Sequence, residues 1–478
     1  LANNIETAVV LLHSNDIHSR LENAARIASI IEEERALWGA DRVLAVDCGD
    51  HMDRMRQETE GSGGEVNIRL LEDAGYEAVT LGNNEGLTYS IPELEKRFVD
   101  SSGFTVVCSN MKLERNGEHP SWLKPSVIIH KNGLKFGVIA ATADYRPFYK
   151  LLGWQSSDPL EAIGEEVAKL RSKCDTIVVL SHLGLMNDRK MAEQIDGIDL
   201  ILGGHTHHLL QEPELINGTA ICAAGKFGEH IGRIEIGRRR EDGGLVYSCS
   251  VIPTAAYTEK PEAAAIISRY RISAGKQLSR IIATLDEALP ASADRETPLP
   301  NLLAAGIRRW TGADIALINN GQLLGGLAIG DATAGELHAL CPSPINPCVM
   351  KLYGRHIRTA LEQCLLPEFY DKPVKGYGFR GEVLGTLAVD GMEIVYDSAK
   401  PPMDRLVKVL ISDRPMEDDK QYTVGCLDMF SFRIGYESLA DGEDYQFFLP
   451  EFIRDVLERE LRDQSALQLC KKKRWHPV

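Results

Sequence analysis

The sequence predicts a layered α/β fold in two domains. Through the first half, short β-branched runs alternate with amphipathic helical stretches, the pattern of strands crossing over through helices. Residues with metal-ligand side chains recur where those runs end. Near Tyr257 the character changes, and the 478-residue length exceeds what one hydrophobic core usually supports.

The runs Val9-Val10-Leu11-Leu12, Val43-Leu44-Ala45-Val46, Ala78-Val79-Thr80-Leu81, Ile177-Val178-Val179-Leu180 and Leu200-Ile201-Leu202 are read as strands. Residues 24–37 carry Ile27, Ile30 and Ile31 at helical spacing, and residues 66–74 carry Ile68, Leu70 and Leu71 likewise. Residues 92–99 form a helix opened by Ser90-Ile91-Pro92, and residues 161–173 another. Residues 134–141, 231–236 and 245–252 add strands, the last two joined by a turn at Gly243-Gly244. The first domain is placed at 1–256 and a linking helix at 257–285, because residues 261–285 are rich in Ala, Ile, Arg and Lys without internal proline. In the second domain, 286–478, helices are expected at 301–311, 356–364 and 451–463, and strands at 315–318, 383–389 and 406–411.

Net charge is −16, from 53 basic and 69 acidic residues, which argues against general nucleic-acid or anionic-membrane partners. The closing Lys471-Lys472-Lys473-Arg474 is read as a solvated tail. Ten cysteines form no CxxC pair, and Cys48, Cys108 and Cys222 lie in apolar runs, as free buried thiols do in a reducing compartment. No apolar stretch is long enough to span a bilayer, and Leu1-Ala2-Asn3-Asn4 carries no signal-peptide features, so a cytoplasmic location is expected. Oligomeric state has no signature in the sequence.

The chemistry is written at the strand ends. Asp16 and His18 follow the first run, Asp50 the second, Asn83 the third, His182 the fourth, and His205 and His207 the fifth. Strands of an α/β sheet deliver their C-terminal loops to one edge, so these residues can meet although they span nearly two hundred positions. Asp, His and Asn suit a pair of divalent cations, with manganese or zinc first and cobalt or iron also compatible. Asp16-x-His18, read as extended backbone, points a carboxylate and an imidazole to one side, and His205-x-His207 repeats the spacing. Asp50, after Gly49, offers two oxygens and is suited to bridge two metals. Two metals a few Å apart lower the pKa of a bridging water and clamp a phosphoryl group.

The ordered set Asp-x-His, Gly-Asp, Gly-Asn-x-Glu, His and Gly-His-x-His resembles the calcineurin-like metallophosphoesterases, and within them the 5′-nucleotidase and UDP-sugar hydrolase family. The resemblance extends over nearly the whole chain, through Glu296-Thr297-Pro298-Leu299-Pro300-Asn301-Leu302, Gly312 to Gly321, and Asp441-Gly442-Glu443-Asp444-Tyr445. It implies a four-layer α/β/β/α sandwich followed by a C-terminal α/β substrate domain that closes over the metals. It also implies one metal on Asp16, His18, Asp50 and His207 and a second on Asp50, Asn83, His182 and His205. The implied substrate is a small phosphorylated molecule, a 5′-nucleotide first of all, cleaved by metal-activated water. Cleavage of nucleotide sugars or dinucleotides by a pyrophosphatase or phosphodiesterase is the alternative within the enzyme class.

Two departures are visible. The family places a His, oriented by an Asp, beside the metal-binding Asn; here those positions are Asn84 and Leu87. Asn84 can donate a hydrogen bond to phosphate but carries neither proton nor charge, which raises a third reading, a metal-bound sensor with little turnover. His51 and His208, next to Asp50 and His207, are read as supporting or exposed residues. The family's Asn-x-Gly-Gly-Ile-Arg loop is Asn319-Asn320-Gly321-Gln322-Leu323-Leu324, with no arginine at its end. Asn319 and Gly321 remain substrate-binding candidates, and Phe379 and Tyr436 lie near the family's base-stacking rings.

Overall fold

In a computed structural model that describes residues 5–99, 103–239, 243–376 and 378–478, the chain divides into two units, 1–274 and 275–478. Each unit has its own core.

The first unit is built on two sheets. The strands Ile5–Ser14, Val43–Asp47, Ala78–Thr80, Thr105–Val107 and Leu123–Lys124 run parallel, and His230–Arg239 and Leu245–Pro253 add antiparallel beyond Ile5–Ser14. In the second sheet Leu134–Thr142, Thr176–His182, Leu200–Gly203 and Thr219–Ala223 run parallel, flanked by antiparallel Ser126–Lys131 and Glu214–Ile216.

Alternation of side chains explains the layering. Val9, Leu11, Leu44 and Val46 face Val138, Ala140, Val178, Leu180 and Leu202 in one cluster between the sheets. Their neighbours Val10, Leu12, Val43 and Ala45 point the other way, onto the helices Leu21–Trp38 and Glu65–Ala74. On the second sheet Ile139, Ile177, Val179 and Ile201 pack against the helices Pro159–Leu170 and Leu185–Gln194. Strands buried on both faces must be apolar at every position, hence the uninterrupted runs in the sequence. The result is the four-layer α/β/β/α sandwich.

The second unit holds a five-stranded mixed sheet in the order Leu387–Asp390, Ile315–Asn319, Gln421–Leu427, Pro347–Tyr353, Glu443–Phe447. The helix Pro298–Thr311 buries Leu299, Leu302, Leu303 and Ile307 against it. A separate four-stranded sheet includes Met392–Tyr396, Leu406–Ile411 and the C-terminal Trp475–Pro477. The basic run before that last strand is not wholly a solvated tail, since Arg474 is buried and donates to Asp390 Oδ1 at 2.9 Å.

The linking helix expected over 257–285 is shorter. It runs Pro261–Leu278, and Ile281–Leu285 is a strand paired antiparallel with Gly330–Thr333. Ile281, Ile282 and Thr284 are β-branched and fit the pleated pairing better than a helix interior. The strand expected at 383–389 is confined to Leu387–Asp390. Among the described residues no helix is long and apolar enough to cross a membrane.

Candidate metal centre

The ligand loops leave the strand ends in left-handed backbone. Asp16 (φ 51°), His18 (46°), Asp50 (52°), His205 (70°) and His207 (60°) all have positive φ. The extended geometry expected for the Asp-x-His and His-x-His pairs is therefore corrected. Asp and His tolerate this region better than most residues, yet it is sparsely populated and needs support from the surroundings. That support is backbone pairing between loops: Asp16 N–H donates to Gly49 O at 3.0 Å, His18 N–H to Asp50 O at 2.9 Å, and Ser19 N–H to His51 O at 2.9 Å.

Six donor atoms converge with Asp50 at the centre. His18 Nε2 lies 3.2 Å from His207 Nε2, 3.8 Å from Asp16 Oδ1 and 3.8 Å from Asp50 Oδ2. His207 Nε2 lies 3.4 Å from Asp16 Oδ1. On the other side of Asp50, its Oδ2 is 3.5 Å from His182 Nε2, which is 3.2 Å from Asn83 Oδ1, itself 2.9 Å from His205 Nδ1. Four ligands about 2.1 Å from a tetrahedral ion stand roughly 3.4 Å apart, and these spacings lie around that value. Asp16, His18 and His207 form one compact donor group, and Asp16, Asp50 and His182 another. The residues present fit two divalent ions.

Hydrogen bonds aim the donors. His182 donates Nδ1–H to Cys48 O at 2.8 Å, leaving Nε2 for a metal. Asn15 donates to Asp16 Oδ2 at 2.8 Å, and the His205 backbone N–H reaches the same oxygen at 2.9 Å. Glu85, 2 % exposed, accepts the backbone N–H groups of Asp50 (3.0 Å), Met52 (2.8 Å) and Gly82 (2.8 Å), and so ties the Asp50 loop to the Asn83 loop. Burial opposes charge on Glu85 and the Asp50 carboxylate adds to it, pushing its pKa up to about 7. Glu85 is the Glu of the Gly-Asn-x-Glu motif, and the sign of this role is its place three residues after the helix cap Gly82.

The charges are strongly coupled. Burial disfavours an ionised Asp50, but His182 and His18 outweigh it and hold the carboxyl well below the usual range. Burial disfavours a charged His182, and Asp50 outweighs that, raising it to about 10. His205 is lowered to about 4 by burial and then by the charge on His182.

The remaining candidates fall elsewhere. Asn84 does not present its amide to open space: Nδ2 lies 2.9 Å from His18 Nδ1 and 3.1 Å from Met52 O. Its amide sits against the His18 ring. His18 Nδ1 also faces Asp53 Oδ2 at 3.5 Å. His51 is 4 % exposed, bonded to Asn67, and held neutral by burial at about 3, while His208 is exposed and bonded to Thr206. In the second unit all four substrate candidates are internal. Asn319 bonds Leu384 O and Gln322, and a side chain at Gly321 would meet Val383 O. Phe379 and Tyr436 belong to the hydrophobic core, and the Tyr436 hydroxyl is used by Gly385 O. The base-stacking pair is corrected accordingly: an aromatic in an apolar run fills the core as readily as it lines a cleft.

A four-layer sandwich that gathers Asp, His and Asn side chains at its strand ends has the architecture of a metal-dependent phosphoesterase domain. The calcineurin-like phosphoesterase model matches residues 9–209, and the 5′-nucleotidase C-terminal domain model matches residues 281–434. The chain is 34% identical to the Bacillus subtilis (strain 168) metallophosphoesterase YunD over 94% of this chain and 98% of that protein. Two solved structures share the fold along the whole chain: NAD nucleotidase from Haemophilus influenzae (TM-score 0.67, 14% identity, 99% and 98% covered) and a 5′-nucleotidase precursor from Thermus thermophilus (0.59, 22%, 98% and 99%). The chain belongs to the calcineurin-like metallophosphoesterases that carry a 5′-nucleotidase C-terminal domain, and it is a metal-dependent phosphoester hydrolase.

Proposed function

We propose that the protein hydrolyses the phosphate ester of a small nucleotide, in the manner of a 5′-nucleotidase. The observation that carries this reading is Asp50 Oδ2 standing 3.8 Å from His18 Nε2 and 3.5 Å from His182 Nε2, a carboxylate placed to serve two ions at once. Asp16, His18, Asp50 and His207 would hold one ion, and Asp50, Asn83, His182 and His205 the other. When bound, such a pair supplies a water of lowered pKa and Lewis-acid clamping of phosphoryl oxygens. The protein's own part is orientation. Glu85, Asn15 and the Cys48 carbonyl fix the donors before substrate arrives, so that no reorganisation is needed during the reaction. The loss of the family's His/Asp pair at Asn84 and Leu87 removes a proton carrier but no metal donor.

The choice of nucleotides is supported by the C-terminal domain type and by the names of the Thermus and Haemophilus proteins with this fold. The test is a panel of nucleoside monophosphates, nucleotide sugars and dinucleotides incubated with the manganese-loaded protein. A nucleoside and inorganic phosphate are expected as products. Release of a nucleoside monophosphate would favour the pyrophosphatase or phosphodiesterase reading, and ligand binding with no hydrolysis of any compound would favour a sensor.

A further inference from the structure

The metal centre has Asn84 where its family would bring a cationic His to phosphate. Two other cations stand beside it. Arg20 Cζ lies 4.7 Å from the centre of the Phe227 ring, and Lys226 Nζ lies 4.6 Å from it. That ring meets His18 edge-on, with centroids 5.8 Å apart. We propose that Arg20 and Lys226 are the phosphate-recognising cation pair of this metal centre, supplying the positive charge that Asn84 does not. The inference rests on the reading of the centre as a phosphoesterase site.

The pair is built in rather than incidental. Its loop is sewn to the first ligand loop: Asn15 donates to Gly225 O at 2.7 Å and accepts from Ala224 N–H at 3.1 Å, Phe227 N–H donates to Asp16 O at 2.7 Å, and Asn23 donates to Phe227 O at 2.8 Å. Several arginines of the first unit have acidic partners: Arg54 has Glu60, Arg56 has Glu22 and Glu58, and Arg233 has Glu34 and Glu235. Among the described residues Arg20 and Lys226 have no such acid, although acidic residues outnumber basic ones 69 to 53.

Their placement also works against local stability. Arg20 is the N-cap of the helix Leu21–Trp38 and makes no capping bond, where Ser, Asp or Asn would cap and a cation opposes the macrodipole. Phe227 has φ 60°, a region bulky side chains rarely occupy. What the arrangement does provide is an aromatic surface to which both cations are drawn. Arg20 offers a planar fork for two phosphate oxygens, and Lys226 a point charge. The permanent charge of the guanidinium suits it to a phosphate dianion.

The test uses the manganese-loaded full chain and inorganic phosphate as probe, by calorimetry at fixed ionic strength, with Arg20→Gln, Lys226→Gln, the double variant and Arg20→Lys. Each Gln variant should weaken phosphate binding about tenfold, a hydrogen bond to a charged group being worth about 1.5 kcal/mol. Arg20→Lys should recover part of the loss. Metal content should stay at the wild-type value and the melting temperature should not fall, whereas a purely structural role of the ring stack would lower it. Wild-type phosphate affinity in the double variant, or no phosphate binding by the wild-type holoprotein, would overturn the proposal. If the variants weaken phosphate binding while no nucleotide is hydrolysed by the wild type, the cation pair stands and the nucleotide reading falls.

Discussion

At the scale of single residues, the centre is held by groups that never touch a metal. Glu85 accepts three backbone N–H groups from two ligand loops, so removing it leaves three buried donors unsatisfied. Glu85→Ala should lower stability by at least about 3 kcal/mol and reduce metal affinity, read by urea unfolding and metal titration, whereas Glu85→Gln should retain part of both. His182 gives the second residue-level prediction. In the metal-free protein its pKa is raised to about 10 against an ordinary 6.5. A raised imidazole contributes stability that is complete below 6.5 and lost as pH climbs toward 10. A metal must displace that proton, so the rise in melting temperature on adding manganese should grow between about pH 6 and about pH 9. A shift that shrinks over that range would count against His182 as a ligand. The candidate ligands were legible in the sequence as residue types in order, and the structure brings them together, but their geometry was not legible. Left-handed φ at Asp16, His18, Asp50, His205 and His207 depends on hydrogen bonds between loops distant in sequence, which spacing cannot reveal.

At the scale of elements, strands buried on both faces announce themselves as continuous apolar runs, and for that reason the five ligand-bearing strand ends could be read directly. Helix ends are weaker signals. The β-branched Ile281, Ile282 and Thr284 are a faint sign of the change after Leu278, which is set by pairing of Ile281–Leu285 with Gly330–Thr333, a long-range contact. Phe379 and Tyr436 misled for a related reason, since a ring's neighbours in sequence do not say which side of the sheet it covers. The loop after Ala78–Thr80 must pass very close to the Asp50 loop: a Cβ at Gly82 would lie 2.3 Å from Asp50 N and collide with its carboxylate. Gly49, at φ 88°, faces the Gly82 backbone in turn. Gly82→Ala should therefore displace Asp50 and lose both metals while the sheets persist, seen as a metal-depleted protein with unchanged far-ultraviolet circular dichroism. Retention of full metal content would show that the loops have slack the packing does not suggest.

At the scale of the whole molecule, the first unit carries every metal-ligand candidate and the second carries the 5′-nucleotidase C-terminal domain. The sequence made the two-part architecture and the chemistry of the first part visible because metal ligands are few, distinctive and ordered. Substrate recognition was not visible, because contacts with an organic ligand can be made by almost any residue type on loops. If Asp50 serves two ions, metal content after exhaustive dialysis reads it out. The wild type should retain two manganese or zinc ions per chain, and Asp50→Ala should lose both together with activity. Unchanged metal content in Asp50→Ala, or a single ion per chain in the wild type, would contradict the account.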